Sequence, residues 1–181
     1  MFGNVSHRTW QEYDVVAIVA SILPELYNFP SVLSFNGIPL GYNERMENKD
    51  IPYIITGGVC SPMADILYGK VSATDHCLVD GTYVGHAEKH LNDMLEIIID
   101  EKFSRGMLSK RDVLKRIANS MDCFYVPAEY DFDWSLDPEY GYKINKITPN
   151  KGYPKHIHFS HIPNDMRTPG FERKILETFI S

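Results

Sequence analysis

The chain has 181 residues, 44% of them hydrophobic, which is enough for one domain with a sizeable core. Its net charge of -6 argues against a nucleic-acid-binding protein, which needs a clustered basic face. The three cysteines form no Cys-x-x-Cys pair, which disfavours a cysteine zinc site or an iron–sulfur cluster and fits reduced thiols. Without a signal peptide or an apolar run of about 18 residues, the sequence predicts a cytoplasmic protein outside the membrane.

Three short apolar segments are predicted to be strands of one parallel sheet. They span residues 14–20, 53–56 and 76–79, and none alternates polar with apolar residues, which indicates burial on both faces. A helical pattern follows each strand, and this order favours an α/β fold with right-handed crossovers. Because a doubly wound sheet normally has five or more strands, we predict a partial doubly wound, flavodoxin- or Rossmann-like parallel sheet.

Four helices are predicted from hydrophobic periodicity and from start and stop signals. They are expected at residues 21–36, 62–68 and 83–103, and from Ser109 onwards. Asp112, three residues after Ser109, indicates a loose capping box. The polar segment 41–51 is predicted to be a loop.

The composition changes near residue 122, where β-forming residues, proline and glycine become frequent. Strands are predicted at 123–127, 142–147 and 156–160, a solvated acidic loop between the first two, and a last helix at 172–179. The sequence therefore predicts two parts, an α/β domain over residues 1–121 and a strand-rich carboxyl-terminal appendage or connector over 122–181.

The carboxyl ends of the three predicted strands are expected to share one edge of the sheet, where ligands bind in open α/β sheets. Two glycines there would let the main chain turn sharply or let a ligand approach it closely. Backbone N–H groups at helix starts could then hold the ligand, whereas the alternative is a set of simple turns. The predicted binding residues are Ser21, Gly57, Gly58, Val59, Asp80, Gly81 and Thr82.

Two groups of histidines offer a metal hypothesis. His86 and His90 are four residues apart in the predicted long helix, a spacing that can hold a metal but is more typical of a polar helix face. His156, His158 and His161 fall in a segment that alternates like a half-buried strand. We predict no metal ligand and no catalytic residue, and a metal-dependent enzyme that uses the histidine pairs remains an alternative.

An acidic segment and one cysteine are also interpreted as structural rather than functional. The acidic residues Asp131, Asp133, Asp137 and Glu139 do not follow the spacing of a calcium loop and are predicted to be solvated. Cys60 follows the glycine pair and could be a reactive thiol, but no partner histidine is evident, so a small buried residue is the preferred interpretation.

Several phrases of the sequence are similar, in order and spacing, to a known family. They are Tyr13-Asp14-Val15-Val16-Ala17-Ile18, Phe35-Asn36-Gly37-Ile38-Pro39-Leu40, the segment from Ile51 to Cys60, Met63-Ala64-Asp65, Cys77-Leu78-Val79-Asp80-Gly81 and Phe124-Tyr125-Val126-Pro127. Over residues 10–130 the chain resembles the amino-terminal cobalamin-binding-like domain of radical S-adenosylmethionine proteins. The acidic Gly-Glu-Gly-Glu of that family aligns with Asp80-Gly81-Thr82-Tyr83, which replaces it here.

The resemblance implies a sheet whose carboxyl edge faces cobalamin. The family's Cys-x-x-x-Cys-x-x-Cys motif is absent, so we expect no iron–sulfur cluster and no reductive cleavage of S-adenosylmethionine. The cobalamin signature Asp-x-His-x-x-Gly is absent too, and the chain is interpreted as truncated, without the first strands and the radical domain.

The predicted function is a non-catalytic module that binds a small ligand or a partner chain within a larger radical-SAM-like assembly. A degenerate structural subunit without a ligand is the other alternative.

The strand at residues 15–19 is expected to lack a neighbour on one side. An open apolar strand edge promotes association. We expect this edge to be covered by a second copy of the chain, by a partner subunit, or by the chain's own segments 142–147 or 156–160.

Overall fold

The computed structural model describes residues 8–19, 21, 25, 27–58, 77–87, 90–105, 108–139 and 141–160, and the helices predicted at 62–68 and 172–179 lie outside this part. The described elements are β1 (Val15–Val19), α1 (Phe29–Phe35), α2 (Tyr42–Glu47), β2 (Tyr53–Gly57), β3 (Gly81–Tyr83), α3 (Leu91–Asp100) with a π-helical turn at Glu101–Arg105, α4 (Lys110–Ser120), β4 (Phe124–Tyr125), β5 (Tyr130–Asp137) and β6 (Gly141–Pro149).

A mostly parallel sheet confirms the predicted fold class. Its described strands lie in the order β1-β2-β3-β4, with β1, β2 and β3 parallel and β4 antiparallel to β3. The register pairs Val15 with Tyr53 and Val19 with Gly57, so β1 and β2 are aligned over their whole length. On β3, Gly81 lies opposite Ile55.

Strand β2 is the centre of the core, as its apolar sequence predicts. Ile54 and Ile55 are both buried and point to opposite faces, since side chains alternate along a strand. Ile54 packs in a cluster with Phe29 and Leu33 of α1, whereas Ile55 packs in a second cluster with residues of α3 and α4. Helices therefore cover both faces of the sheet, the arrangement typical of parallel strands.

Two predicted segments near the sheet have different structures. Residues 42–47 of the predicted loop 41–51 form α2, whose Tyr42, Arg45 and Met46 are buried. The predicted helix 83–103 was wrong at its start, because α3 begins only at Leu91 and Gly81–Tyr83 is strand. Helix α4 begins as predicted, with the Ser109 hydroxyl accepting a hydrogen bond from the Asp112 backbone N–H.

The third parallel strand lies later in the chain than predicted. Residues 77–79 are irregular, and β3 starts at Gly81, within the Asp80-Gly81 pair at which the predicted strand 76–79 was expected to end. The loop that follows the last parallel strand therefore starts at Val84 rather than at Asp80. The prediction failed because Asp80, whose polarity indicates a turn, is buried and ion-paired.

The carboxyl-terminal part contains a separate two-stranded sheet. Strands β5 and β6 form an antiparallel hairpin, so the acidic segment predicted to be a loop is a strand instead. Residues 156–160, predicted to be a strand, are irregular apart from a single bridge between Gly85 and Ser160. Strand β4 lies beyond residue 122 yet belongs to the main sheet; the division at residues 121 and 122 stays a prediction.

Among the described residues, the helices are too short or too polar for any of them to traverse a bilayer.

Candidate ligand site at the carboxyl edge of the sheet

The glycine pair at the end of β2 lies at the carboxyl edge of the parallel strands, as predicted. Gly57 is paired with Val19, so the carboxyl ends of β1 and β2 meet there. No described atom lies within 4 Å of the position that a Cβ on Gly57 would occupy. Gly58 has φ of 100°, a left-handed conformation that favours glycine. As far as the described residues extend, this corner of the sheet at Gly57 is therefore open.

Ser21, another of the predicted binding residues, belongs to the same edge. Ser21 lies just beyond the end of β1 and is exposed, but its backbone N–H donates to Glu25 Oε2 at 2.8 Å. A ligand would therefore compete with the Glu25 carboxylate for that donor. Val59 lies outside the described residues.

Gly81 and Thr82 lie within the sheet rather than at its carboxyl edge. Both are buried in β3, and the Thr82 and Thr56 hydroxyl oxygens are 3.1 Å apart. A Cβ on Gly81 would lie 2.2 Å from Cζ of Phe124, so packing of this ring accounts for the glycine. Their expected convergence with Gly57 at one edge is not what the structure shows.

Asp80 lies at the opposite, amino-terminal end of the strands. Its carboxylate is fully buried and 2.8 Å from Arg45 Nε, and its second oxygen accepts a hydrogen bond from the Ile54 N–H at 2.8 Å. Arg45 also donates to the carbonyl oxygens of Pro39, Leu40 and Cys77 at 2.6 to 2.8 Å. With this number of partners, Asp80 fixes β3 against β2 and α2 instead of facing a ligand.

Three side chains that could ligate a metal lie together beside the carboxyl end of β3. They are His90, which precedes α3, and Asp122 and Cys123, which connect α4 to β4, and their ligand atoms all lie within 4.8 Å of one another. Cys123 is fully buried, whereas Asp122 is exposed. Burial raises the pKa of the Cys123 thiol, and the neighbouring hydroxyls of Tyr83 and Ser160 act in the opposite direction.

The histidine groups considered as an alternative metal site are not formed by the described residues. His86 and His90 do not share a helix, and the His86 ring packs edge-on against Phe159 with centroids 5.9 Å apart. His156 and His158 are exposed in an irregular segment, and His161 and Cys60 lie outside the described residues. The cluster of His90, Asp122 and Cys123 was not predicted, because its members are joined only by the tertiary fold.

A cleft of about 460 Å³ lies at the amino-terminal edge of the sheet. Charges of both signs line it, from Asp14, Asp50, Glu101, Lys49, Lys102 and Lys110. Lys110 is buried and donates to the carbonyl oxygens of Arg45 and Ile51, both at 2.8 Å. Burial lowers its pKa to about 8, an effect that Asp80 opposes and Arg45 reinforces. With its ammonium group held by main-chain carbonyls, Lys110 joins α4 to the segment before β2.

Comparison with known proteins gives a family but no individual relative. No curated protein and no solved structure matches the chain. The family described as radical SAM proteins, N-terminal, matches residues 1–127, which include the four described strands of the main sheet. Since the match covers 127 of the 181 residues, this chain belongs to the radical SAM N-terminal family.

Proposed function

We propose that the chain is a non-catalytic module of a radical SAM protein and that it binds a small ligand at the carboxyl edge of its sheet. The observation that carries the proposal is the end of the central parallel strand at Gly57, where no described atom lies within 4 Å of the Cβ position. Ligands of open α/β sheets bind at such ends. The family match supports the proposal that the chain is a module of a radical SAM protein, because the matching family describes the amino-terminal part of such proteins.

Iron–sulfur chemistry does not fit the cysteines of this chain. A four-iron cluster needs several thiolates at one place. Among the described residues, Cys77 lies near the start of β3, where its carbonyl accepts from Arg45, and Cys123 lies near the end of β3, where its carbonyl accepts from Val84 N–H. The two thiols are therefore at opposite ends of the strand, which supports a binding role over radical generation.

Cobalamin is the ligand that we propose to test first. At the carboxyl edge, no described side chain lies within 4 Å of the position that a Cβ on Gly57 would occupy. Since the sequence lacks the Asp-x-His-x-x-Gly signature, cobalamin would be held here without a histidine from that motif. The module would bind and orient the cofactor, and the corrin cobalt would supply whatever chemistry the assembly performs.

The ligand proposal can be tested by titrating the purified chain with hydroxocobalamin and following its visible absorbance. We expect saturable binding by the natural chain and by Gly57→Ala, whose small side chain fits the open space. Gly57→Trp should fold but bind at least about tenfold more weakly, because the indole occupies the corner; tenfold corresponds to about 1.4 kcal/mol. Circular dichroism and the melting temperature would confirm folding. Unchanged binding by Gly57→Trp would place the ligand elsewhere, and no binding by the natural chain would favour the ligand-free structural subunit.

We also propose that the module associates through β1, with a second copy of the chain as the partner. β1 is the end strand of the main sheet, Val19 is 66% exposed, and no described strand pairs with its outer edge. The hairpin β5–β6 pairs with itself, and residues 156–160 contact the Val84–His86 loop, so neither of these predicted candidates covers β1. Open strand edges promote association, and lysine on such an edge opposes it.

Light scattering after size exclusion should show a dimer for the natural chain and a monomer for Val19→Lys. Phe35→Lys is the matched control, because Phe35 is an exposed apolar residue (77%) of α1 rather than of β1; this variant should stay dimeric. A natural chain that is monomeric at tens of micromolar would contradict self-association and leave a different subunit as the partner.

A further inference from the structure

Three potential metal ligands of different chemistry converge at the carboxyl end of β3. An imidazole nitrogen of His90, a carboxylate oxygen of Asp122 and Sγ of Cys123 all lie within 4.8 Å of one another. Around zinc, with bonds of about 2.0 to 2.3 Å, such atoms are roughly 3 to 4 Å apart. A small side-chain adjustment is therefore enough to bring all three into one coordination sphere.

The hydrogen bond of His90 to Asp93 is a second observation that points to a metal. His90 Nδ1 lies 3.3 Å from Asp93 Oδ2. Metal-binding histidines commonly donate one ring N–H to a carboxylate, which fixes the tautomer and directs the other nitrogen to the metal. If Nδ1 donates to Asp93, Nε2 would be the ligand atom.

The main chain around the other two ligands is also fixed. The Asp122 carbonyl accepts a hydrogen bond from His158 N–H at 2.7 Å, and the Cys123 carbonyl accepts one from Val84 N–H at 2.9 Å. These bonds join the Asp122-Cys123 segment to two other parts of the chain. A site whose backbone is already held loses little conformational entropy when a metal binds.

We propose that His90, Asp122 and Cys123 bind a zinc ion. Thiolate, imidazole and carboxylate together suit zinc, whereas calcium and magnesium prefer oxygen ligands alone. On binding, the Cys123 thiol releases its proton to solvent and its sulfur forms the bond to zinc. The exposed side of Asp122 leaves a fourth position for water or for a ligand of the module. This site shares no residue with the open corner at Gly57 and does not depend on the proposed cobalamin.

The metal proposal is tested on the full chain, first freed of metal with a chelator and then titrated with Co²⁺. A thiolate-to-cobalt charge-transfer band should develop to one equivalent, and Zn²⁺ should abolish it. His90→Gln, Asp122→Asn and Cys123→Ser should each lose binding or weaken it at least about tenfold. Asp93→Ala, which removes the carboxylate partner of Nδ1 and leaves the three ligands in place, should weaken binding by about 10- to 100-fold.

Matched controls distinguish this site from other thiols and histidines. Cys77→Ser, Cys60→Ser and His86→Gln should keep both the band and its stoichiometry. Cys123 is fully buried, so its serine variant could fold poorly, whereas Asp122 is exposed and Asp122→Asn should fold normally. Full binding by Asp122→Asn and His90→Gln, or a cobalt spectrum without the thiolate band, would overturn the proposal.

Discussion

Replacing Arg45 by methionine is expected to lower the free energy of unfolding by about 3 to 5 kcal/mol. Arg45 and Asp80 are both fully buried, and Nε of Arg45 lies 2.8 Å from Oδ1 of Asp80. Methionine fills much of the space but leaves the Asp80 carboxylate without its cation in a region of low polarity. The cost arises from this uncompensated charge rather than from the loss of a favourable pair.

The expected loss is large because Arg45 also holds three carbonyl oxygens, those of Pro39, Leu40 and Cys77. These carbonyls belong to the segments before α2 and before β3. A buried acceptor that loses its donor costs roughly 1 to 3 kcal/mol. One side chain therefore connects α2 to the amino end of the central strands, and its removal should loosen both.

Urea denaturation followed by circular dichroism would measure this effect. Lys102→Met is the matched control, because Lys102 and Asp14 form an ion pair whose side chains are 48% and 54% exposed. Solvent screens such a pair, so the control should change stability by less than about 1 kcal/mol. If Arg45→Met and Lys102→Met lowered the free energy of unfolding equally, the burial of the Arg45–Asp80 pair would not explain its contribution to stability.

The position of β2 could be predicted from the sequence, whereas that of β3 could not. Tyr53 to Ile55 are apolar on both faces of the strand, and this pattern by itself requires burial. Asp80, in contrast, has the polarity of a turn residue and becomes buried only because Arg45, 35 positions earlier, neutralises it. No local pattern contains that pairing, so the strand was predicted a few residues too early.

Of the two candidate sites, one could be predicted from the sequence and the other could not. The corner at Gly57 and Gly58 could be predicted because a strand followed by two glycines is a local signal. The cluster of His90, Asp122 and Cys123 depends on α3, α4 and β4 packing around the end of β3. A histidine before a helix and an Asp-Cys pair after another helix were the only signals in the sequence, and neither indicates the other.

Truncating Phe124 to alanine is expected to cost about 3 to 5 kcal/mol of unfolding free energy. Its ring is fully buried in the cluster that α3 and α4 form with the sheet. β4 has only two residues, so its attachment to β3 depends strongly on this side chain. Loss of the ring should therefore destabilise the antiparallel edge of the sheet.

Gly81→Ala tests the same contact from the other side. The new Cβ would lie 2.2 Å from Cζ of Phe124 and 3.1 Å from Cδ1 of Ile55, so one of the two side chains must move. Overpacking of this kind costs about 1 to 3 kcal/mol. In the double variant Gly81→Ala/Phe124→Ala the methyl group enters the space that the ring leaves, so the two losses should sum to more than the loss of the double variant.

This double-mutant cycle also tests whether glycine is needed at position 81 for packing against Phe124 or for the approach of a ligand. If the glycine is present because of Phe124, the coupling between the two positions should reach about 0.5 to 3 kcal/mol, and ligand binding at Gly57 should follow stability alone. If the glycine is present because a ligand approaches the backbone there, Gly81→Ala should remain stable, lose binding, and show no coupling to Phe124. The 2.2 Å approach of the ring to the Cβ position favours the first outcome, because an alanine cannot be placed at this position until Phe124 or its neighbours move.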